Sequence, residues 1–404
     1  MSDSKNDSHH RDTRLIHAGR DPARWDGAVN PPVYRASTIL SASIAEWEEK
    51  RRARARDEVG TYYGLSGTPT MHALEALLTD MEGGYRALLY PSGLAACTGP
   101  LLACLSNGDH LLVPDSVYGP TRIFCDHQLS RYGVTTTYYD PLIGAGIDAL
   151  MRPNTKVVWT ESPGSHTFEV QDVPAIARAA HAKGALVMMD NTWASPLYFD
   201  AIGHGVDVSI QATTKYLNGH SDVIMGSVVA TQDAWPRLRD SHRQIGFTAG
   251  PDDVYAVMRG VRTMAIRLKQ HWASGVALAQ WIAQQPEVAR VLHPALPGDP
   301  GHALWTRDFT GASGLFGVSF NADVSRPAMN HLLDSLALFG KGASWGGFES
   351  LAMPTDVVRT ATRSNFPGPV MRLHAGLEYV DDLIADLAQG FAAMRRVGAD
   401  RSMA

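Results

Sequence analysis

Cysteine is scarce in this chain: only Cys97, Cys104 and Cys125 occur among 404 residues. Three thiols without metal-ligand spacing supply neither a disulfide framework nor a metal site, which fits a reducing compartment. Long apolar runs are missing as well. No stretch reaches about 18 apolar residues, so no membrane-spanning helix is expected, and the first residues lack the apolar core of a signal peptide. Neither sign of charge dominates: 36 basic residues stand against 41 acidic ones, a net charge of −5, with no long like-charged block. That balance leaves no footprint for nucleic acid. Repeats and low-complexity tracts are also absent. What remains is the expectation of a soluble, cytoplasmic protein acting on a small molecule. Its length exceeds what one core usually holds, so two domains plus extensions are expected.

The chain divides by pattern. Residues 1–12 (MSDSKNDSHHRD) read as a polar, disordered tail, with His9 and His10 part of that tail and not a metal site. Up to Ser66 the pattern is irregular, with Pro31, Pro32 and a basic segment, Lys50 to Arg56, that reads as a solvated helix face. From Gly67 to Arg262 short apolar runs alternate with helical patterns, which predicts an α/β unit with a mainly parallel, helix-covered sheet. Strands are predicted at 87–90, 111–113, 134–139, 156–160, 186–189 and 206–210, and helices at 94–105, 120–132 and 173–183. A long helix over 252–285, with Arg259, Arg262 and Arg267 on its solvated side, leads to a smaller α/β unit. There strands are predicted at 315–320 and 370–374, and helices at 327–338 and 378–394. The division is therefore 1–66, 67–262 and 263–404.

Candidate chemistry gathers at strand ends. In QATTKYLNGHSD (Gln211 to Asp222), Lys215 lies between Thr214 and Tyr216, just past the apolar run Val206 to Ile210. That position suits a Schiff-base lysine better than a solvated one, although a surface lysine is the competing reading. Asp190, in MMDNTWASP (Met188 to Pro196), closes another apolar run and so falls at the same carboxyl edge of a parallel sheet, unless it only caps a helix. A lysine amine and an acid at one edge meet the needs of pyridoxal phosphate, whose aldehyde takes an amine and whose ring nitrogen must stay protonated. In YPSGLAA (Tyr90 to Ala96), Ser92-Gly93 opens a helix whose first N–H groups can face an anion. Arg372 alternates with Val370 and His374 on a predicted strand. It can clamp a carboxylate in two parallel hydrogen bonds, or form a surface ion pair.

These stretches resemble those of the Cys/Met-metabolism family of pyridoxal-phosphate enzymes, the γ-family of fold type I, and its cystathionine β-lyase branch in particular. AVNPPVYRAST (28–38), GTPT (67–70), DPLIGA (140–145), ESPGS (161–165), SWGGFESL (344–351) and RLHAGLE (372–378) extend the likeness, in order, over nearly the whole chain. The resemblance implies the fold-type-I architecture, a large cofactor-binding domain with a smaller C-terminal α/β domain, and pyridoxal 5'-phosphate as cofactor. It implies that Gly93 and Leu94 give backbone donors to the phosphate, that Thr214 adds a hydroxyl, and that Tyr118 stacks over the ring. It also implies that Ser344 and Trp345 line the substrate pocket and that Arg372 holds the α-carboxylate. Residues 1–66 would form an arm on the neighbouring subunit of a homotetramer, a dimer of dimers, with Tyr63 reaching the partner's site.

The implied reaction is the α,β-elimination of L-cystathionine, or of another cysteine conjugate, to homocysteine, pyruvate and ammonia. The rivals are a γ-synthase or γ-lyase and a non-catalytic pyridoxal-phosphate-binding protein. Two departures from the family pattern bear on cofactor affinity. Leu65 stands where Tyr-x-Arg would place a phosphate-binding arginine, with Arg35 as a possible substitute, and Ala212-Thr213-Thr214-Lys215 replaces the usual Ser-x-Thr-Lys.

Overall fold

Alternation of apolar side chains along buried strands shapes the larger half of the molecule. The computed structural model describes residues 9–402, so most of the tail read at 1–12 lies outside the described residues. Strands β1 (Arg86–Tyr90), β2 (His110–Pro114), β3 (Thr135–Tyr139), β4 (Thr155–Glu161), β5 (Leu186–Asp190), β6 (Val208–Gln211) and β7 (Gly226–Ala230) form one sheet in the order β1-β7-β6-β5-β4-β2-β3. Only β7 runs against its neighbours, β1 and β6; β3, β2, β4, β5 and β6 are paired in parallel. Successive side chains point to opposite faces. Leu89, Leu112, Val158, Val187 and Met189 therefore enter one core, while Tyr90, Leu111, Val113, Trp159 and Met188 enter another.

Helices cover both faces. In chain order they are α1 (Arg11–His17), α2 (Ile44–Ala55), α3 (Pro69–Glu82), α4 (Gly93–Cys104), α5 (Gly119–Ile123), α6 (Val173–Ala182), α7 (Ser195–Tyr198), α8 (Trp235–Ile245), α9 (Pro251–Ile282), α10 (His302–Asp308), α11 (Arg326–Ser335) and α12 (Val380–Ser402). A second sheet, wholly antiparallel, has the order β10-β11-β9-β8, from β8 (Val288–Leu292), β9 (Leu315–Phe320), β10 (Leu351–Thr355) and β11 (Val370–His374). It packs on α11 and α12 through Phe316, Val318, Leu332, Leu387 and Phe391. The long α9 starts with Pro251 in its first turn and Asp252 and Asp253 against its dipole. Its apolar positions 254, 257, 258, 261, 264, 265 and 268 recur at helical spacing and are buried.

Three expectations need correction. The tail ends earlier than read: α1 begins at Arg11, because the His10 ring accepts the Asp12 N–H and caps the helix. Arg267 is not solvated. The residue is 7% exposed, with Nη2 donating to the carbonyls of Tyr216 (2.9 Å) and Gly260 (2.7 Å), so it props the Lys215 loop from beneath. Burial lowers its pKa to about 10. Arg262 is half-buried and donates to the Leu15 carbonyl, leaving only Arg259 exposed. The basic face of α2, in contrast, is solvated as expected, with no buried residue.

Candidate active site

The carboxyl edge of the large sheet collects one contribution from nearly every parallel strand. β1 leads through Ser92 into α4, β2 leads to Tyr118, β4 ends at Glu161, β5 ends at Asp190 and β6 leads to Lys215. Glu161 and Asp190 are directly paired in register.

Lys215 is partly buried, and its Nζ donates to Ser344 Oγ. It also sits 5.3 Å from the centre of the Trp345 ring. Burial, then the Arg372 charge, lower its pKa to about 8 against the opposing pull of Asp190. Below pH 8 the ammonium dominates and above it the neutral, nucleophilic amine. Gly346 makes this packing possible. Its φ is +86°, and a Cβ there would lie 3.1 Å from Lys215 Cα, in a backbone region that favours glycine. His374 fixes the same turn by accepting the Gly346 N–H on Nε2 (3.1 Å).

Asp190 is held from one side only. Oδ1 accepts from Thr192 N–H (3.0 Å) and Thr192 Oγ1 (2.6 Å), while the partner of Oδ2 is the Cys97 thiol at 3.7 Å. Oδ2 therefore has capacity for a stronger donor, such as a protonated ring nitrogen. Burial pushes the Asp190 pKa up, although the Thr192 bonds oppose it. Glu161 is pushed well above the carboxylate range, by burial and then by Asp190, and its Oε2 accepts the Tyr118 N–H (2.8 Å).

The N-terminus of α4 supplies the anion cradle. Ser92 Oγ takes the Ala95 N–H (3.0 Å) and the Ser92 carbonyl takes the Ala96 N–H. The first amides, of Gly93 and Leu94, are the ones a helix start cannot satisfy internally. Gly93 is required there because a Cβ would meet Ala212 Cβ at 2.6 Å, so the cradle sits against the Lys215 loop. The Thr214 hydroxyl is engaged with Met225, accepting its N–H (3.0 Å) and donating to its carbonyl (3.1 Å). Its remaining capacity toward a phosphate is that of an acceptor unless it turns.

Arg372, on β11, faces Lys215 from the small sheet. Nη2 donates to the Ser344 carbonyl (3.0 Å), and no carboxylate pairs with it among the described residues. Burial lowers its pKa while Tyr118 opposes the shift. Tyr118 is 40% exposed and its pKa is raised, chiefly by burial. Two sequence-predicted residues stand apart. Tyr63 and Leu65, 47% and 41% exposed, flank a short turn and touch none of these groups by hydrogen bond or ring contact. Arg35 is taken by Asp252 in an exposed ion pair at 2.5 Å.

Sequence reasoning missed the supports: Thr192 and Cys97 on Asp190, Glu161 behind Tyr118, His374 behind the Gly346 turn and Arg267 under Lys215. Of these, Thr192, Glu161 and His374 lay within stretches already singled out, whereas Cys97 falls just past the YPSGLAA stretch. Among the described residues no helix is long and apolar enough to cross a membrane, and no group of three His, Cys, Asp or Glu side chains could hold a metal ion.

An amine, an acid with one open oxygen, an anion cradle and an unpaired guanidinium fit pyridoxal phosphate and an amino-acid substrate. Comparison with known proteins agrees. The family model described as Cys/Met metabolism PLP-dependent enzyme matches residues 12–392. A protein of Rhizobium johnstonii is 50% identical over 389 residues, 95% of this chain and 96% of that one. Cystathionine beta-lyase MetC of Escherichia coli is 44% identical over 388 residues, covering 94% of this chain and 98% of the relative. Among solved structures, cystathionine gamma-lyase from Lactobacillus plantarum complexed with L-serine superposes with a TM-score of 0.86 at 28% identity, over 96% of this chain and 100% of that one. The chain belongs to the Cys/Met metabolism family of PLP-dependent enzymes.

Proposed function

We propose that this enzyme is a cystathionine β-lyase, a carbon–sulfur lyase of methionine biosynthesis that converts L-cystathionine and water to homocysteine, pyruvate and ammonia. The observation that carries the reading is the unpaired Arg372 fork beside a lysine amine of depressed pKa, both facing the Asp190 edge. When bound, pyridoxal phosphate supplies an aldehyde for amines and a ring that accepts the electron pair left at Cα. The protein does the rest. Gly93 and Leu94 N–H groups would hold the phosphate, joined by the Thr214 hydroxyl once it turns from the Met225 carbonyl, Asp190 Oδ2 would keep the ring nitrogen protonated, and Tyr118 would orient the ring. Arg372 takes the substrate α-carboxylate and Ser344 steadies Lys215 Nζ, which removes the Cα proton. The Trp345 face stabilises the ammonium so formed. The Cβ–S bond would then break as Cα=Cβ forms, with the bonding pair going to sulfur, which takes the proton from Lys215 Nζ and leaves as the thiol.

Pyruvate release from L-cystathionine, followed against release from cystine and other cysteine conjugates, tests this function. Formation of 2-oxobutyrate or of cystathionine would instead identify a γ-eliminating or γ-replacing enzyme, and the absence of any turnover by a cofactor-loaded protein would mark a binding protein. The Lys215 amine adds a pH test. Reattachment of pyridoxal phosphate to the cofactor-free protein should speed up about tenfold from pH 7 to pH 9, as the neutral amine becomes the major form near pH 8. A flat profile would mean that Lys215 is not the attacking amine.

The active unit is a cytoplasmic homotetramer, a dimer of dimers in which the 1–66 arm of one subunit brings Tyr63 to its neighbour. The exposure of Val29, Leu40, Ile44, Trp47 and Val59 along this arm supports the reading, since an apolar row without a core of its own calls for a partner surface. Leu65 then enters beside the phosphate without a charge. Leu65→Arg should tighten pyridoxal phosphate by about tenfold, the net worth of one charge-assisted bond. Cofactor affinity is measured where sedimentation shows the oligomer intact, and unchanged affinity would place the arm elsewhere.

A further inference from the structure

We propose that Asp115 is a positioning residue, a latch that ties the segment between β10 and β11 to the loop carrying Tyr118 and so sets the spacing between the ring-facing wall and the Arg372 fork. The proposal rests on the roles of Tyr118 and Arg372 given above. Asp115 directly follows β2, and its side chain is completely buried. Oδ1 accepts from Thr360 N–H (2.9 Å), Thr360 Oγ1 (3.2 Å) and Arg122 Nη2 (2.7 Å). Oδ2 accepts from the N–H groups of Ala361 (3.0 Å) and Thr362 (2.7 Å) and from Thr362 Oγ1 (2.8 Å). Three consecutive backbone donors thus close on one carboxylate, a nest for an anion that the chain fills with its own side chain.

Burial would raise the pKa of this acid, but the Thr360, Arg122 and Thr362 bonds outweigh it and hold it at about 2, so the latch stays charged at any ordinary assay pH. Arg122 completes it, with Nη1 donating to Thr360 Oγ1 (3.1 Å) and its guanidinium 3.8 Å from the centre of the Tyr138 ring. A second tie lies beside it, where Arg359 Nη2 donates to Glu169 Oε1 and Thr167 Oγ1, each at 2.6 Å. The strap runs from these ties into β11 and hence to Arg372, while Asp115 is three positions from Tyr118 (118 − 115). One carboxylate therefore references both sides of the substrate pocket. An amide in its place presents N–H to N–H, frees the strap and lets the fork drift, which weakens carboxylate binding in ground and transition state alike and so falls on KM.

The test is Asp115→Asn in the cofactor-loaded enzyme. Amide hydrogen exchange at 360–362 should accelerate, visible cofactor absorbance should persist, and kcat should stay within about threefold while KM rises roughly 10- to 100-fold, the scale of a displaced binding group. Faster exchange with an unchanged KM would overturn the proposal, as would protected amides. Should the variant fail to fold, Thr362→Val and Thr362→Ser decide: a KM increase in the first alone supports the latch, and equal behaviour of the two overturns it. If the wild type releases no pyruvate from cystathionine, the functional reading fails separately. The latch is then read from affinity for L-alanine, followed by the spectral change on binding, which Asp115→Asn must weaken over the same range.

Discussion

Lys215→Ala should lose visible cofactor absorbance and nearly all turnover, by at least roughly 10⁴-fold, while its circular dichroism stays that of the wild type. The size follows from the two roles proposed for one side chain: Lys215 would attach the cofactor through its amine and would move the Cα proton, a contribution worth up to about 10⁴ by itself. The fold should persist because the side chain is only partly buried and its hydrogen bond is to Ser344, an exposed residue. Relieving the repulsion between Lys215 and Arg372 also costs the native state nothing. Retention of lyase activity would exclude the mechanism. Loss of ellipticity together with activity would mean that Lys215 is structural.

Arg372→Lys should cost about 2 to 4 kcal/mol in kcat/KM, a loss of roughly 30- to 1,000-fold, with cofactor absorbance normal. Lysine keeps the charge but loses the planar fork, so it can meet one carboxylate oxygen where the guanidinium meets two. It also gives up the bond to the Ser344 carbonyl that aims Arg372. The proposed cofactor site is at the tips of the large sheet and Arg372 is on the small one, so binding and chemistry should separate in this variant. Wild-type kcat/KM for cystathionine would place the carboxylate clamp at another residue.

Much of this arrangement is legible in sequence because it follows from strand ends. An apolar run that stops at Asp190, and another that stops before Lys215, place both at the carboxyl edge by the geometry of parallel sheets alone. Other features depend on partners that are remote in sequence. Arg267 looks solvated on a helix of alternating faces, and only the folded position of the Tyr216 carbonyl shows it to be buried. Asp115 reads as an ordinary loop acid, since its donors at 360–362 lie about 245 positions away. Strand β10 was not predicted because Pro354 lies inside it. It is tolerated at the sheet edge, where one side of the strand needs no N–H donor. Strand β7, GSVVA, is short and begins at glycine, and its reversed direction follows from pairing that composition does not encode.

The split of the site between two sheets has an evolutionary reading. Asp190 ends β5, and Lys215, Tyr118 and Gly93 follow the ends of β6, β2 and β1, whereas Arg372 stands on β11 and Ser344 and Trp345 on the segment before β10. In the proposed mechanism the bond-breaking groups and the groups that choose the molecule are thus carried on separate sheets. A lineage can exchange the antiparallel hairpin, trying new side chains against new sulfur compounds, while the reactive lysine keeps its place. Diversification then proceeds by altering the reader and leaving the reaction intact.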